Sequence, residues 1–193
     1  MRSFALRSSL VALALIALSG CSTAPTSHSD REELRSASSD ALKAFYKDDN
    51  SLEAVVTKSY GYAILPSIVK GAVGVGGAYG KGAVYEQGTQ VGWTDMSQAT
   101  IGFQAGGQGY SELLVFESKM ALDKFKSGDF AFSGNASAVA ATAGAATTAK
   151  FDNGVATFVR VNGGLMYEAS LGGQKFSYSP KESTPSSTAK SPY

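Results

Sequence analysis

Histidine and cysteine each occur once in 193 residues, as His28 and Cys21. That scarcity excludes a Ser-His-Asp or Cys-His triad inside a folded domain, because His28 falls in a stretch that reads as an N-terminal tether. A zinc site of His/Cys type lacks ligands for the same reason. Proline is nearly absent from the middle of the chain: Pro25, Pro180, Pro185 and Pro192 lie near the ends, and only Pro66 is central. Charged residues make up only 17%. Without the early Arg2 and Arg7, fifteen basic residues face sixteen acidic ones, a net charge of −1. A near-neutral chain does not attract nucleic acid. The apolar run "LVALALIAL", Leu10 to Leu18, is too short to span a bilayer comfortably.

What is present begins with export. Arg2, Arg7 and the short apolar run form a secretion signal over residues 1–20. "LSGC", Leu18 to Cys21, resembles the bacterial lipobox, whose cysteine receives a diacylglyceryl group before its new amino terminus is acylated, as with palmitate. Cys21 is therefore the expected lipid anchor. A lone thiol in an oxidising compartment is a liability unless its sulfur is occupied. Several acyl chains, at about 0.8 kcal/mol per buried methylene, make such anchoring effectively permanent. Ser22 after the cysteine points to the outer membrane of a double-membraned bacterium. The expected organisation is a signal peptide at 1–20, anchor and tether at 21–30, a domain at 31–178 and a disordered tail at 179–193.

Within the domain, Leu34, Ala37, Ala41, Leu42 and Phe45 have the spacing of one helical face. Ser29 and Glu32, then Asn50 and Glu53, stand three apart as capping boxes require, so two helices are predicted first. From Tyr60 the pattern changes to strands. Turn signals at Gly88-Thr89, Asn153-Gly154, Asn162-Gly163 and Gly172-Gly173 predict antiparallel hairpins. "ATIGFQAGGQGYSELLVF" looks like two strands broken by glycines. One helix interrupts the series at "SKMALDKFKSG", with Ala121, Leu122 and Phe125 on one side and Gly128 as its stop. The alanine-rich stretch 136–149 reads as strand and turn, with helix as the alternative. The tail after Phe176 is Ser/Pro/Lys-rich and reads as disordered. The fold class expected is α+β: a mainly antiparallel curved sheet, sandwich or barrel-like, with two N-terminal helices and one inserted helix.

The glycine run "GAVGVGGAYGKGAVY" fits neither phosphate-binding motif. From Gly74 and Gly76 the third glycine of a dinucleotide fingerprint would be Tyr79, and Gly80-Lys81 lacks the Ser/Thr and first glycine of a P-loop. A hairpin follows where both motifs need a helix amino terminus. No nucleotide is expected as partner, and no cofactor. Asp95, Glu112, Glu117, Asp129 and Glu168 read as solvated strand-end and cap residues rather than a catalytic pair. Trp93, Phe103, Tyr110, Phe158 and Tyr167 read as core. Asn135-Ala136-Ser137 matches a glycosylation acceptor and is taken as chance in an exported bacterial chain. Lys58, Lys70 and Lys81 surround the glycine region. Converging on one face, they would attract anionic headgroups by about 1 kcal/mol each; scattered, they are solvated charge.

"GYAILPSIVKGAVGVGGAYGKGAVY", "GWTDMSQATIGFQAGGQGYSELLVF" and "VNGGLMYEASLGG" together resemble the SYLF family of lipid-binding domains. The corresponding features are Ala63 and Pro66, Trp93-Thr94, Gln104 with Gly106-Gly107-Gln108, and Gly164-Leu165 with the strand to Leu171-Gly172. The likeness runs from about Arg31 to Tyr178. It implies a non-enzymatic domain that binds phospholipid, with an amphipathic N-terminal segment contributing. Here that segment carries six acidic residues against four basic ones between Asp30 and Asp49, unlike a headgroup-capturing helix. The function expected is that of an envelope lipoprotein binding phospholipid, anionic headgroups included, or another amphiphile. Lys58, Lys70 and Lys81 are its candidate contacts. The alternatives are a scaffold binding a protein or cell-wall partner and, last, a carboxylate-dependent hydrolase.

Overall fold

A computed structural model describes residues 25, 27–128, 130, 132, 138–161 and 173–181, with the backbone alone at 71–76 and 100–108. The expected signal peptide, Cys21, the Asn135 sequon, the expected turn at Asn162-Gly163, the expected strand from Leu165 to Leu171 and the tail from 182 lie outside the described residues. So do Asp129, Glu168 and Tyr167, and the side chain of Phe103.

Two helices come first, as expected: α1 (His28–Asp48) and α2 (Ser51–Lys58). Their caps differ from the predicted ones. The Ser27 hydroxyl accepts from Asp30 N at 3.0 Å, so α1 starts inside the stretch expected to be tether. Asn50 has helical dihedrals and caps nothing. Its neighbour Asp49 takes over, with Oδ1 accepting from Ser51 N at 3.0 Å and Ser51 Oγ at 2.6 Å.

The chain then enters β1 (Gly61–Glu86) and β2 (Thr89–Phe116), one long antiparallel ribbon paired from Gly61↔Phe116 to Glu86↔Thr89. Its turn centres on Gln87 and Gly88, at φ 47° and 77°, one residue earlier than the spacing suggested. Positive φ at both central residues matches the right-handed twist of the strands. Fully extended, 26 residues would reach about 85 Å, far beyond a compact domain. The ribbon bends instead, with register shifts at Leu65/Ile68 and Ala72/Gly74. The glycines expected to break β2 leave it continuous.

Bending lays the two halves of β1 side by side. Gln87 N donates to Tyr60 O at 3.0 Å. A Cβ at Gly80 would sit 2.9 Å from Ser67 O, and one at Gly82 would overlap the Ile64 carbonyl oxygen. These two glycines therefore admit the chain's own backbone. β2 is flanked by β4 (Val155–Val161) along residues 110–116 and by β5 (Gln174–Pro180) along residues 92–98. Short β3 (Val139–Ala140) runs parallel to β4. Counting each long strand as two segments, the result is one curved, mostly antiparallel seven-segment sheet that does not close among the described residues. This α+β arrangement, with α3 (Lys119–Lys126) inserted after β2, is the one expected.

The alanine-rich stretch forms β3, a turn and a single 3-10 turn at Ala145–Thr148. Asn153 and Gly154, at φ 51° and 80°, make the predicted tight turn into β4. The tail does not become irregular after Phe176. β5 continues to Pro180, and Lys181 N donates to Val91 O at 2.8 Å. Phe176 and Tyr178 pack inward there while Ser177 faces out, a period-two pattern that the Ser/Pro composition conceals.

Apart from the shift after Leu65, side chains alternate between two faces. Ala63, Leu65, Ile68, Ala78, Val84, Leu114 and Phe116 join α3 in one cluster. Ile64, Leu113, Val115, Ala156 and Phe158 join Phe45, Leu52 and Val56 of the first two helices in the other. Because both faces are covered, β2 ends in a continuous apolar run, Leu113 to Phe116.

Candidate functional site

The helix-covered face is incompletely filled. α1 is tied down at its C-terminal end by buried Phe45, by Asp48 bonded to Arg160 Nε at 2.6 Å, and by Asp49. Burial pushes the Asp49 carboxyl up, but bonds from Ser51, Ala146 N (2.8 Å) and Gly144 N (3.0 Å) outweigh it and hold the group below the usual range. Further along, Arg35 Nε donates to Gln90 Oε1 at 2.9 Å. Between these ties the helix presents Leu34, Ala37, Ala41 and Ala44 to the sheet, and the small side chains leave a gap.

That gap is a groove of about 680 Å³ between α1 and bent β1. Its volume lies in the range of small-molecule sites. Pro66, Val69 and Tyr79 form the sheet side, and Val69 and Tyr79 are 64% and 43% exposed. The register shift after Leu65 turns Ser67 and Val69 toward the groove, while the alternation of the second half does the same for Tyr79 and Lys81. Polar groups line its rim: Asp30, Glu33 and Asp40 on the helix, and Lys81, Ser111 and Arg160 on the sheet. Ser111 Oγ is engaged by Pro66 O at 2.7 Å.

Of the three lysines singled out from sequence, only Lys81 lines this groove. It is half-buried and stands opposite Asp95 in the ladder. Lys70 is half-buried opposite Gln108, and Lys58 is exposed at the end of α2. The groove itself was missed. Its sequence signal was the alanine spacing of α1, which is also the spacing of an ordinary packing face.

The opposite face holds an unexpected carboxyl. Glu112, expected to be solvated, is fully buried beside Tyr110 and Leu114, with Oε2 accepting from Gln174 Nε2 at 3.1 Å. Burial pushes its pKa up to about 8, against the lowering effect of Gln174. Strand parity carried this signal, since residues 110, 112, 114 and 116 must share a face. Asp95 accepts from Ser177 Oγ, and Glu117 is exposed at the end of β2, as a strand-end residue should be. Among the described residues no cluster of His, Cys, Asp and Glu could hold a metal ion. Trp93, Tyr110 and Phe158 are buried, as expected of core aromatics. Among the described residues no helix is long and apolar enough to cross a membrane.

A bent β-ribbon folded on itself, covered by a loosely packed helix over an apolar groove, defines a small α+β domain with a groove of small-molecule size. Residues 97–184 match the family model Ysc84, described as "Las17-binding protein actin regulator". This match to the Ysc84, or SYLF, family model agrees with the resemblance carried by the sequence motifs. The chain is also 26% identical over 137 residues to Beta cell expansion factor A of Aeromonas veronii, a match that takes in 70% of this chain and 52% of that protein. The chain thus spans about half the length of the curated relative it matches. Most of the groove wall, on α1 and β1, precedes the residues of the family match.

Proposed function

We propose that this protein is an envelope lipoprotein, acylated at Cys21 and held at the outer membrane, whose domain binds phospholipid or another amphiphile without enzymatic activity. The observation that carries this reading is the α1–β1 groove, with an apolar lining and Lys81 at its rim, on a chain whose residues 97–184 match the model of a family that the sequence resembles. An acyl chain would lie along Ala37, Ala41 and Val69, while the phosphate meets Lys81. Anchoring would hold the groove at high local lipid concentration, so a weak intrinsic affinity suffices. An anionic preference built on three converging lysines draws support from Lys81 alone.

The test uses the full chain reconstituted into vesicles that contain a phospholipid with a photoreactive acyl chain. Crosslinks are expected on α1 and on the facing part of β1. Ala41→Phe, which fills the groove, should reduce them about tenfold, whereas Lys58→Gln should not change them. Crosslinks confined to the acylated amino terminus would reject the groove as the lipid site. The second reading, an envelope scaffold with a protein partner, is favoured by the family description, which names a bound protein. One stoichiometric partner crosslinked in cells, with no lipid in the groove, would establish it instead.

A further inference from the structure

The groove's rim carries both signs of charge on opposite walls. Asp30, Glu33 and Asp40 lie along α1, and Lys81 and Arg160 lie on the sheet. Two of these groups are already engaged: Arg160 by Asp48 at 2.6 Å and Asp40 by Lys43 at 3.2 Å. Asp30, Glu33 and Lys81 enter no ion pair among the described residues. The uncommitted rim therefore holds two carboxylates facing one ammonium across an apolar floor. A ligand with a net negative headgroup would meet more repulsion than attraction there. A ligand bearing a phosphate and an ammonium satisfies both walls at once.

We infer that the groove is selective for zwitterionic amphiphiles, a single acyl chain lying under α1 with the headgroup phosphate at Lys81 and its ammonium at Asp30 and Glu33. This rests on the groove being the lipid site, and it reverses the anionic preference expected from the lysines. The apolar stripe from Leu34 to Ala44 is about 15 Å long at the helical rise, the scale of one acyl chain. The volume of about 680 Å³ suits one chain better than the two of a diacyl lipid. The second chain of a diacyl ligand would stay in the bilayer, beside exposed Val69 and Tyr79.

The experiment reconstitutes the full chain into vesicles of equal phosphatidylethanolamine and phosphatidylglycerol with matched acyl chains, then identifies bound lipid by native mass spectrometry. Phosphatidylethanolamine should be enriched about threefold over phosphatidylglycerol, the size expected of exposed charge contacts. The double variant Asp30→Asn, Glu33→Gln changes only exposed side chains and should erase that preference while lipid stays bound. Lys81→Gln should lower retention of both lipids. Equal or greater binding of phosphatidylglycerol by the wild-type chain would overturn the inference and leave the lipid-binding function intact. A preference that persists in the double variant would overturn the assignment of the carboxylates. No bound lipid at all would overturn both the inference and the function.

Discussion

The two faces of the sheet are covered by helices of different character, and only one of them is filled. Under α3, Phe125 lies 4.9 Å from Phe116, 5.9 Å from Phe130 and 5.4 Å from Phe176, ring centre to ring centre. Three of the eight residues of α3 are buried. Under α1, a helix of 21 residues buries only Ser38 and Phe45, and its sheet-facing positions are mostly alanine. A large ring fills the space between helix and sheet. A methyl group leaves it open. The difference teaches that side-chain size alone makes one side of this domain close-packed and leaves the other open.

Breaking the packed side should have the largest effect. Phe125→Ala would open a cavity where three rings now meet and should cost about 4 kcal/mol, read as a lower denaturant midpoint. A cost below about 1 kcal/mol would mean that this face is no better packed than the groove. Next comes the line where β1 meets itself. Gly82→Ala drives a methyl against the Ile64 carbonyl and Leu65 on the same face and should cost about 2 kcal/mol. Thermal unfolding would measure it, and an unchanged midpoint would show that the two halves can part.

Glu112, a carboxyl fully buried on the packed face, makes stability depend on pH. Glu112 has a folded pKa of about 8, above its unfolded value near 4.3. The folded state therefore binds more protons across that window. Its contribution is fully present below about pH 4.3, falls as pH rises, and is lost once pH has passed through about 8. The slope is at most about 1.4 kcal/mol per pH unit. Glu112→Gln should flatten that decline, measured by urea unfolding between pH 5 and pH 9. An equally steep decline in the variant would place the titrating group elsewhere.

Legibility followed distance along the chain. The turn at Asn153-Gly154, the helix from Lys119 with Gly128 behind it, and the alternation of the strands are each specified by residues within a few positions of one another. Those readings hold. Misplaced details are also local but finely balanced: Ser27 competes with Ser29 for one cap, and Asp49 displaces Asn50 because it can also reach Gly144 and Ala146. Glu112 was misread because an isolated glutamate looks solvated. Strand parity places it on the packed face, but its hydrogen-bond partner Gln174 is sixty-two residues away.

By itself the sequence determined the fold class and little more: an α+β chain with a regular middle, motifs that resemble those of a lipid-binding family, and glycines spaced through a strand rather than before a helix. Those properties depend on local spacing and composition, which need no knowledge of what lies opposite. The tertiary structure alone decided what the glycines do and where a groove opens. Gly80 and Gly82 gained their purpose only when the ribbon bent and brought Ser67 and Ile64 against them. Ala37 and Ala41 became the wall of a groove, rather than an ordinary packing face, only because the opposing strand offers Val69 and Lys81 across a gap. A cavity is a property of two surfaces together, and the spacing of residues along one of them cannot specify it.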